Sequence, residues 1–258
     1  MFIKKSLYRI KFIFLTVVFI GLATSNIYAE DACIDCHKDE KFRVQNKKLF
    51  DYYNTWKNST HDIAGVTCVN CHGGDPAKTD KDTAHKDGFS SPVVSGEVFY
   101  KEIPQTCGSS KCHEGVLKNF IESKHFKALM KEGKGPHCAT CHGSANSEIY
   151  YTSIIARTCE ACHNEDTEIY PEATELAEKI LQRLNVSHGY KNWIRIFYSD
   201  KDPAKVKEIN ALYREIADSW HKFDFLQIDE KSKELLNQLK SVVSRGLIEK
   251  KKMKKIKE

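Results

Sequence analysis

The sequence predicts a mostly α-helical protein with extensive loops, and three observations support this prediction. Length and composition, 258 residues with 41% hydrophobic and 29% charged residues, are typical of a soluble globular chain and exclude a polytopic membrane protein. Between residues 33 and 163, five cysteine pairs alternate with glycine and proline clusters that indicate loops, so short helices that carry the motifs and few or no strands are expected there. After residue 165, cysteine disappears and apolar residues recur at helical spacing.

The N-terminal segment has the order of a secretory signal peptide. Basic residues precede an apolar run over 12–23, and small and polar residues follow it. The run is shorter than the roughly 20 residues that span a bilayer. We therefore predict cleavage after Ala29, a signal peptide over 1–29 and export to the periplasm, with no stable membrane span afterwards. The alternative is an uncleaved N-terminal anchor.

The formal net charge of +5 comes mostly from this segment. Without residues 1–29, 36 Lys and Arg stand against 35 Asp and Glu, a net charge of +1. The remaining excess is a C-terminal lysine cluster, which is expected to be solvated. Its members are Lys250, Lys251, Lys252, Lys254, Lys255 and Lys257. Nothing in the sequence indicates nucleic-acid binding.

The ten cysteines form five pairs, each followed directly by a histidine. The pairs are Cys33 and Cys36, Cys68 and Cys71, Cys107 and Cys112, Cys138 and Cys141, and Cys159 and Cys162. The histidines are His37, His72, His113, His142 and His163. C-x-x-C-H is the attachment motif of haem c. The third pair has four intervening residues instead of two, and we interpret it as a haem site with a looped-out linker.

This pattern predicts five covalently bound haem c groups. Each pair of thiols forms two thioether bonds to a haem, and the adjacent histidine supplies the proximal iron ligand. Structural zinc and disulfides are the alternatives, but neither requires a histidine after every second cysteine. The sequence thus predicts a pentahaem domain over 30–165, in which the short spacing from His142 to Cys159 suggests that the fourth and fifth haems form a close pair.

Residues 166–258 are predicted to form a helical hairpin or a three-helix tail. The first stripe consists of Ala173, Ala177, Ile180 and Leu184, with Gly189 as its expected C-cap. Pro203 suits the first turn of a second helix, whose stripe is Val206, Ile209, Tyr213, Ile216, Trp220 and Phe223. A third helix is expected around Leu235, Leu236, Leu239 and Val242. The tail would cover the haem domain, or form a dimer through an exposed seam.

Six further histidines are candidates for the second axial position on the irons. They are His61, His85, His125, His137, His188 and His221. The first three lie between the motifs, where ligation of a neighbouring haem is geometrically easy, and His221 lies on the predicted tail. For His188 the alternative is a surface position near a helix C-terminus, and for His137 it is a hydrogen bond only.

The number of distal ligands separates a carrier from an enzyme. If five of the six candidates are ligands, every iron is six-coordinate and the haems only exchange electrons. A missing ligand would leave one iron open to a small molecule.

Basic residues near the motifs are candidate partners for haem propionates, with solvated surface positions as the alternative. They are Lys111, Lys124 and Arg157.

The chain resembles the multihaem cytochromes c. The resemblance is carried by Ser59-Thr60-His61 and Ser123-Lys124-His125, each of which precedes a motif, and by segments 56–61, 68–76, 84–88, 123–125, 138–143 and 220–224. Similar arrangements occur in periplasmic tetrahaem and pentahaem carriers, in the tetrahaem partner of hydroxylamine oxidoreductase, and in multihaem nitrite and tetrathionate reductases. The resemblance implies packed haem pairs and bis-histidine ligation through positions such as His61, His85 and His125.

The chain also departs from two specialised members of this group. The nitrite reductases have a lysine in place of the motif histidine at the active haem, and no C-x-x-C-K occurs here. The membrane quinol-oxidising cytochromes have a methionine soon after the first motif histidine, whereas His37 is followed by Lys38, Asp39 and Glu40.

We therefore expect a periplasmic electron carrier that exchanges electrons with redox partner proteins and has no catalytic residue of its own. The alternatives are a reductase or oxidase of a small nitrogen or sulfur compound with one open haem, and an electron-transfer subunit of a larger complex.

Overall fold

The computed structural model describes residues 31–86, 88–91, 97–143 and 151–257, and in these ranges the protein is helical without strands. This confirms the predicted fold class. The predicted signal peptide, residues 1–29, lies outside the described residues. Among the described helices, none is both long and apolar enough to cross a membrane.

Short helices separated by loops and turns form the motif-bearing part of the chain. They are α1 (Ala32–His37), α2 (Glu40–Gln45), α3 (Lys47–Trp56), α4 (Thr60–Ile63), α5 (Cys68–His72), α6 (Lys81–Ala84), α7 (Glu97–Cys107), α8 (Glu114–Phe120), α9 (Lys124–Glu132), α10 (Cys138–His142) and α11 (Thr152–Arg157). A 3₁₀ turn, Thr158–Ala161, follows α11. Few of the described residues here are fully buried, so this part has a small apolar core of its own.

Side-chain caps explain where several of these short helices begin. Buried Ser59 and Ser123 are the N-caps of α4 and α9, and their hydroxyl oxygens accept hydrogen bonds from backbone N–H groups in the first turn. A serine oxygen at this position satisfies a backbone donor that the helix itself leaves unpaired. The caps thereby place His61 and His125 at the second position of their helices.

Glycine ends the two motif helices α5 and α10. Gly73 and Gly143 have φ of 68° and 73°, a conformation that favours glycine. At Gly73, a Cβ atom would lie 2.3 Å from the carbonyl oxygen of Gly88, so a side chain would also collide with the loop that follows.

The C-terminal part is the predicted three-helix tail. It consists of α12 (Ala173–Tyr198), α13 (Pro203–Ser219) and α14 (Phe225–Lys257), with a 3₁₀ turn (Trp220–Lys222) between the last two. Asp202 caps α13 and Pro203 occupies its first turn, as predicted. Most of the fully buried apolar side chains belong to this tail; among them are Ile180, Ile194, Ile228, Leu235 and Leu239.

The predicted C-cap at Gly189 is wrong, because α12 continues through Gly189 to Tyr198. A glycine inside a helix lowers the stability of the helix by roughly 1 kcal/mol relative to alanine. The packing of residues after Gly189 nevertheless favours a helix that continues through it. Ile194 is fully buried, and Trp193 lies against Gly246 of α14, where a Cβ atom would come within 2.9 Å of the indole. As a consequence, His188 lies in the middle of a helix and not near its C-terminus.

The tail packs against the motif-bearing part through α8 and α11. Phe223, just after the second 3₁₀ turn, contacts Phe120 of α8, and Lys222 forms an ion pair with Glu122 at 2.8 Å. Ala156 of α11 belongs to the same buried cluster as the tail side chains. These contacts fix His221, which lies in that turn, close to the motifs.

Candidate haem-binding sites

The first four motifs present their paired thiols in or directly after a helix. In α5 and α10 the two cysteines are three residues apart, so they lie on one face of the helix with the histidine one residue later. Cys33 and Cys36 lie similarly on α1. Cys107 is the last residue of α7, and Cys112 lies in the turn after it.

The fifth motif departs from the expected short helix, and the prediction of a helix there is wrong for Cys162. Cys159 lies within the 3₁₀ turn Thr158–Ala161, whereas Cys162 follows that turn, with φ of −129°, and is exposed. The backbone N–H of Cys162 donates to the carbonyl oxygen of Cys159 at 3.0 Å, and its own carbonyl oxygen accepts from Thr167 Oγ1 at 2.7 Å. The backbone N–H of His163 also donates to the carbonyl oxygen of Cys159, at 2.7 Å, so one helical hydrogen bond extends to His163.

None of the ten motif cysteines forms a disulfide in the structure, and all ten lie within the described ranges. Haem attachment at each of them, the exposed Cys162 included, stays a prediction.

Consecutive motifs are neighbours in space. Burial, hydrogen bonding to Asp31 and the nearby Asp31 charge raise the pKa of Cys33 to about 12, and neighbouring Cys68 of the second motif adds to this effect. Burial also raises the pKa of Cys71, with further contributions from Cys107 and Cys112 of the third motif.

The third, fourth and fifth motifs are also neighbours in space. The thiols of Cys107 and Cys138 are hydrogen-bonded to each other, and this contact raises the pKa of Cys107. Burial raises the pKa of Cys159 to about 11, and Cys141 of the fourth motif contributes to the increase. The fourth site therefore lies beside both the third and the fifth.

Four of the five motif histidines face a histidine from another segment of the chain. The ring centroids are 6.4 Å apart in His37/His85, 6.2 Å in His113/His61, 6.3 Å in His142/His221 and 5.9 Å in His163/His125. With metal–nitrogen bonds of roughly 2.0–2.1 Å, as His makes to zinc, two imidazoles on opposite sides of one metal ion have centroids roughly 6 Å apart. The four pairs have the spacing that bis-histidine ligation requires.

Backbone carbonyl groups orient several of these rings. The Nδ1 atoms of His72, His85, His163 and His221 lie 3.0, 2.8, 2.5 and 3.2 Å from the carbonyl oxygens of Ser90, Lys81, Ile169 and Asp218. Because a carbonyl oxygen can only accept, Nδ1 must carry the proton and donate it. The lone pair of the neutral ring is then on Nε2, which is the atom free to bind a metal.

Burial favours the neutral form of two of the partner histidines. It lowers the pKa of His125 to about 4, and neighbouring His163 contributes. Burial also lowers the pKa of His221 to about 4, with further lowering by His142 and His113. Both rings are neutral near pH 7, which is the form that ligates iron.

The arrangement fits haem better than a bare metal ion. In the described ranges, no three or more His, Cys, Asp or Glu side chains converge to form a metal site. Each histidine pair would supply two imidazoles, and haem would supply the remaining four nitrogen ligands itself. Among the described residues, the buried Nδ1 of His125 has no hydrogen-bond partner, which leaves a ring nitrogen available.

His72 faces no histidine within the described part of the chain. Its ring lies 6.5 Å from that of Phe99 on α7, at an interplanar angle of 2°, and 6.2 Å from that of Phe89. The second motif therefore differs from the other four.

The structure brings the last two candidate ligands to other places. His137 is the N-cap of α10 and stacks on Tyr100 at 5.6 Å. Its Nδ1 is buried without a hydrogen-bond partner among the described residues. His188 is exposed on α12, 5.7 Å from Tyr213 of α13. Neither ring lies opposite a motif histidine.

Lys111, Lys124 and Arg157 are all exposed. Arg157 donates a hydrogen bond from Nε to the carbonyl oxygen of Ser153. Their pairing with haem propionates stays a prediction.

The sequence did not predict two features of these sites. The assignment of each partner histidine to its motif was missed because the partners come from distant segments. Phe99 was also missed, since a single aromatic residue on a short helix has no distinctive pattern. The repeated serine two residues before His61 and His125 was a usable signal, because it predicts a capped helix that begins beside each histidine.

Comparison with known proteins gives two kinds of relatives. The chain is 27% identical over 154 residues to the C-type polyheme cytochrome OmcB of two strains of Geobacter sulfurreducens; the match covers 57% of this chain and 18% of OmcB. It is 29% identical over 72 residues to the cytochrome c nitrite reductase subunit NrfA of Nitratidesulfovibrio vulgaris, which covers 28% of this chain and 12% of NrfA.

These similarities support a multihaem c-type cytochrome. The matched region spans less than a fifth of the length of either relative. No protein-family model and no solved structure matches the chain.

Proposed function

We propose that this protein is a periplasmic pentahaem c-type cytochrome that transfers electrons between redox partner proteins. The observation that carries the proposal is the set of four histidine pairs with ring centroids 5.9–6.4 Å apart, each of which includes a motif histidine. An iron held between two imidazoles has no position for a substrate, so these four sites are suited to electron exchange alone.

The ten motif cysteines would bind the haems covalently, and the motif histidines would be the proximal ligands. His85, His61, His221 and His125 would be the distal ligands at the first, third, fourth and fifth sites. Bound haem c supplies reversible one-electron oxidation and reduction. Because His137 and His188 do not face a motif histidine, we assign neither of them to an iron.

The protein's own contribution is to hold these sites close together in a fixed order. The backbone N–H of Ala32, in α1, donates to the carbonyl oxygen of Pro76 at 2.9 Å and ties the first motif to the loop after the second. Cys107 and Cys138 lie close enough for their free thiols to form a hydrogen bond, which supports a third site beside the fourth. A continuous series of sites from first to fifth would allow electrons to enter at one end and leave at the other.

Export follows from the predicted signal peptide, and the covalent attachment of haem c agrees with a periplasmic location. The helical tail, as a domain over 166–258, would cover the haem domain over 30–165. A dimer through the tail and membership of a larger complex are further proposals that the tail surface allows.

A second candidate function is the reduction of a small nitrogen compound. The match to a nitrite reductase subunit favours it, as does the absence of a facing histidine at His72 in the described structure. It would require the second haem to bind the substrate.

The test is to produce the full chain in a bacterial host that matures c-type cytochromes, and to adsorb the purified protein on an electrode. We expect five covalent haems per chain and reversible one-electron waves without any added substrate. A chain without covalent haem would contradict the proposal. A current that appears only when nitrite or another small substrate is added would favour the second function.

A further inference from the structure

The last turn of α13 contacts residues of both the third and the fourth haem-binding sites. Asp218 and Ser219 are its final residues, and His221 follows in the 3₁₀ turn. The buried hydroxyl of Ser219 donates to the carbonyl oxygen of Ile216 at 2.8 Å, which holds this turn in place. The carbonyl oxygen of Asp218 accepts the hydrogen bond from His221 Nδ1 at 3.2 Å. The backbone of Asp218 therefore orients the partner histidine of the fourth site.

The side chain of Asp218 lies beside the third site. Its Oδ2 atom is so close to Gly115 that a Cβ atom on this glycine would come within 2.6 Å of it. Gly115 is the second residue of α8 and follows His113, the motif histidine of the third site, by two positions. The missing side chain at Gly115 thus leaves room for a carboxylate next to this motif. Burial raises the pKa of Asp218, while the nearby charges of Arg214 and His113 lower it.

The charge of Asp218 is available to act on this site. The carboxyl group is half-buried, and among the ion pairs of the described residues none includes Asp218. The oxidised iron–porphyrin unit carries one more positive charge than the reduced unit. A carboxylate nearby therefore stabilises the oxidised form and lowers the reduction potential, and partial burial limits the screening of this attraction by solvent.

We propose that the Asp218 carboxylate lowers the reduction potential of the third haem, the one bound at His113, while the backbone carbonyl of the same residue orients His221 at the fourth site. A lower potential makes the third haem a stronger electron donor to its neighbours. This inference rests on the proposed function, because it requires haem at the third motif.

The experiment is a potentiometric titration of the full holoprotein, followed by visible absorption. Asp218→Asn removes the charge and keeps the size of the side chain and the backbone carbonyl. One wave should shift to a more positive potential. It should be the wave that His61→Met also shifts, since His61 faces His113 and a methionine ligand raises the potential. Electron paramagnetic resonance of oxidised Asp218→Asn should show the native spin states, because no iron ligand is removed.

Glu215→Gln is the matched control, because Glu215 is exposed one turn earlier on α13 and lines the same groove as Asp218 and Gly115. Its effect on every wave should be smaller than that of Asp218→Asn on the third haem. Asp218→Glu keeps the charge, so its wave should stay closer to the native potential than that of Asp218→Asn. Native potentials in Asp218→Asn, or an equal shift in Glu215→Gln, would overturn the inference. A shift accompanied by a change of spin state would also overturn it, because the role of Asp218 would then be structural.

The covalent haem count of each variant separates the possible failures. Five haems per chain with unshifted potentials in Asp218→Asn would contradict only the role of Asp218. A native chain without covalent haem would contradict the proposed function as well.

Discussion

His221 is a residue of the tail that lies beside the histidine of the fourth motif. It lies in the 3₁₀ turn between α13 and α14, 6.3 Å from His142 between ring centroids, and its Nδ1 donates to the carbonyl oxygen of Asp218. Phe223, two residues later, contacts both His221 and His125. One short segment of the tail therefore supports the partner histidines of the fourth and fifth sites.

Replacement of His221 tests this assignment directly. In His221→Ala, one haem of the five should change from low-spin to high-spin, because the fourth site would lose its second imidazole. Electron paramagnetic resonance of the oxidised protein measures the change. His188→Ala is the control, since His188 is exposed and faces Tyr213, and it should leave the spectrum unaltered.

His85 offers a second test at the residue scale. His85→Met exchanges an imidazole for a thioether at the first site, and methionine with histidine ligation gives a higher potential than two histidines. One wave of a potentiometric titration should shift to a more positive potential while the others stay in place. An unchanged set of potentials would show that His85 is not the ligand opposite His37.

The elements of the tail are held together by an ion pair as well as by apolar packing. Arg183 Nη1 on α12 donates to Asp229 Oδ1 at 2.8 Å and to Ser232 Oγ at 2.6 Å, both on α14. The two charged side chains are 16% and 22% exposed, so solvent screens this pair less than those on the surface.

Arg183→Met should therefore lower the free energy of unfolding of the tail by about 1–3 kcal/mol, because it removes the charged hydrogen bonds from α12 to Asp229 and Ser232, although Asp229 keeps its ion pair with Lys233. Denaturant unfolding followed by far-ultraviolet circular dichroism measures the loss. The matched control is Lys179→Met on the same helix, where Lys179 pairs with Glu175 in the exposed i,i+4 arrangement. That change should lower the free energy of unfolding by less than about 0.5 kcal/mol. Equal effects of the two substitutions would show that the Arg183–Asp229 pair stabilises the tail no more than a surface pair does.

The sequence correctly predicted those features of the tail helices that depend on residues close together in the chain. Pro203 and Asp202 marked the start of α13, and the apolar stripes identified all three tail helices. The stripe of the second helix was predicted too long, because Trp220 and Phe223 lie beyond the end of α13 at Ser219.

The predicted C-cap at Gly189 was wrong because the free-energy cost of a glycine inside a helix is smaller than the stabilisation from burying Ile194 and packing Trp193 against α14. No local sequence pattern reveals this packing.

The haem-binding sites also have features that depend on neighbouring residues and features that depend on tertiary packing. Attachment chemistry is encoded within five to seven consecutive residues, so the sequence alone predicted all five motifs, although not that Cys162 would lie beyond the end of a 3₁₀ turn. The partner of each motif histidine depends on how distant segments pack: the whole second motif separates His61 from His113, and His221 belongs to the tail. Tertiary packing determines these pairs, and so the sequence could supply the candidates without their assignment.

The whole molecule has two parts that differ in how they are stabilised. Fully buried apolar residues are concentrated in α12, α13 and α14, whereas the described part of 31–163 buries few, including Phe120, Leu129 and Ile155. The bound haems would have to supply the apolar surface that this part lacks.

We therefore expect haem-free protein to keep its tail and lose the fold of the motif-bearing part. Hydrogen exchange of chain produced without haem attachment should show protected amides in residues 173–245 and fast exchange over most of 31–143. The holoprotein is the control and should be protected in both parts. Equal protection with and without haem would contradict the proposal that haem completes the core.

The most direct test of the whole account is to locate iron in crystals of the holoprotein by anomalous scattering at the iron absorption edge. We expect five iron positions per chain, four of which lie between His37 and His85, His113 and His61, His142 and His221, and His163 and His125. Fewer irons, or irons bound by histidines other than these pairs, would contradict it.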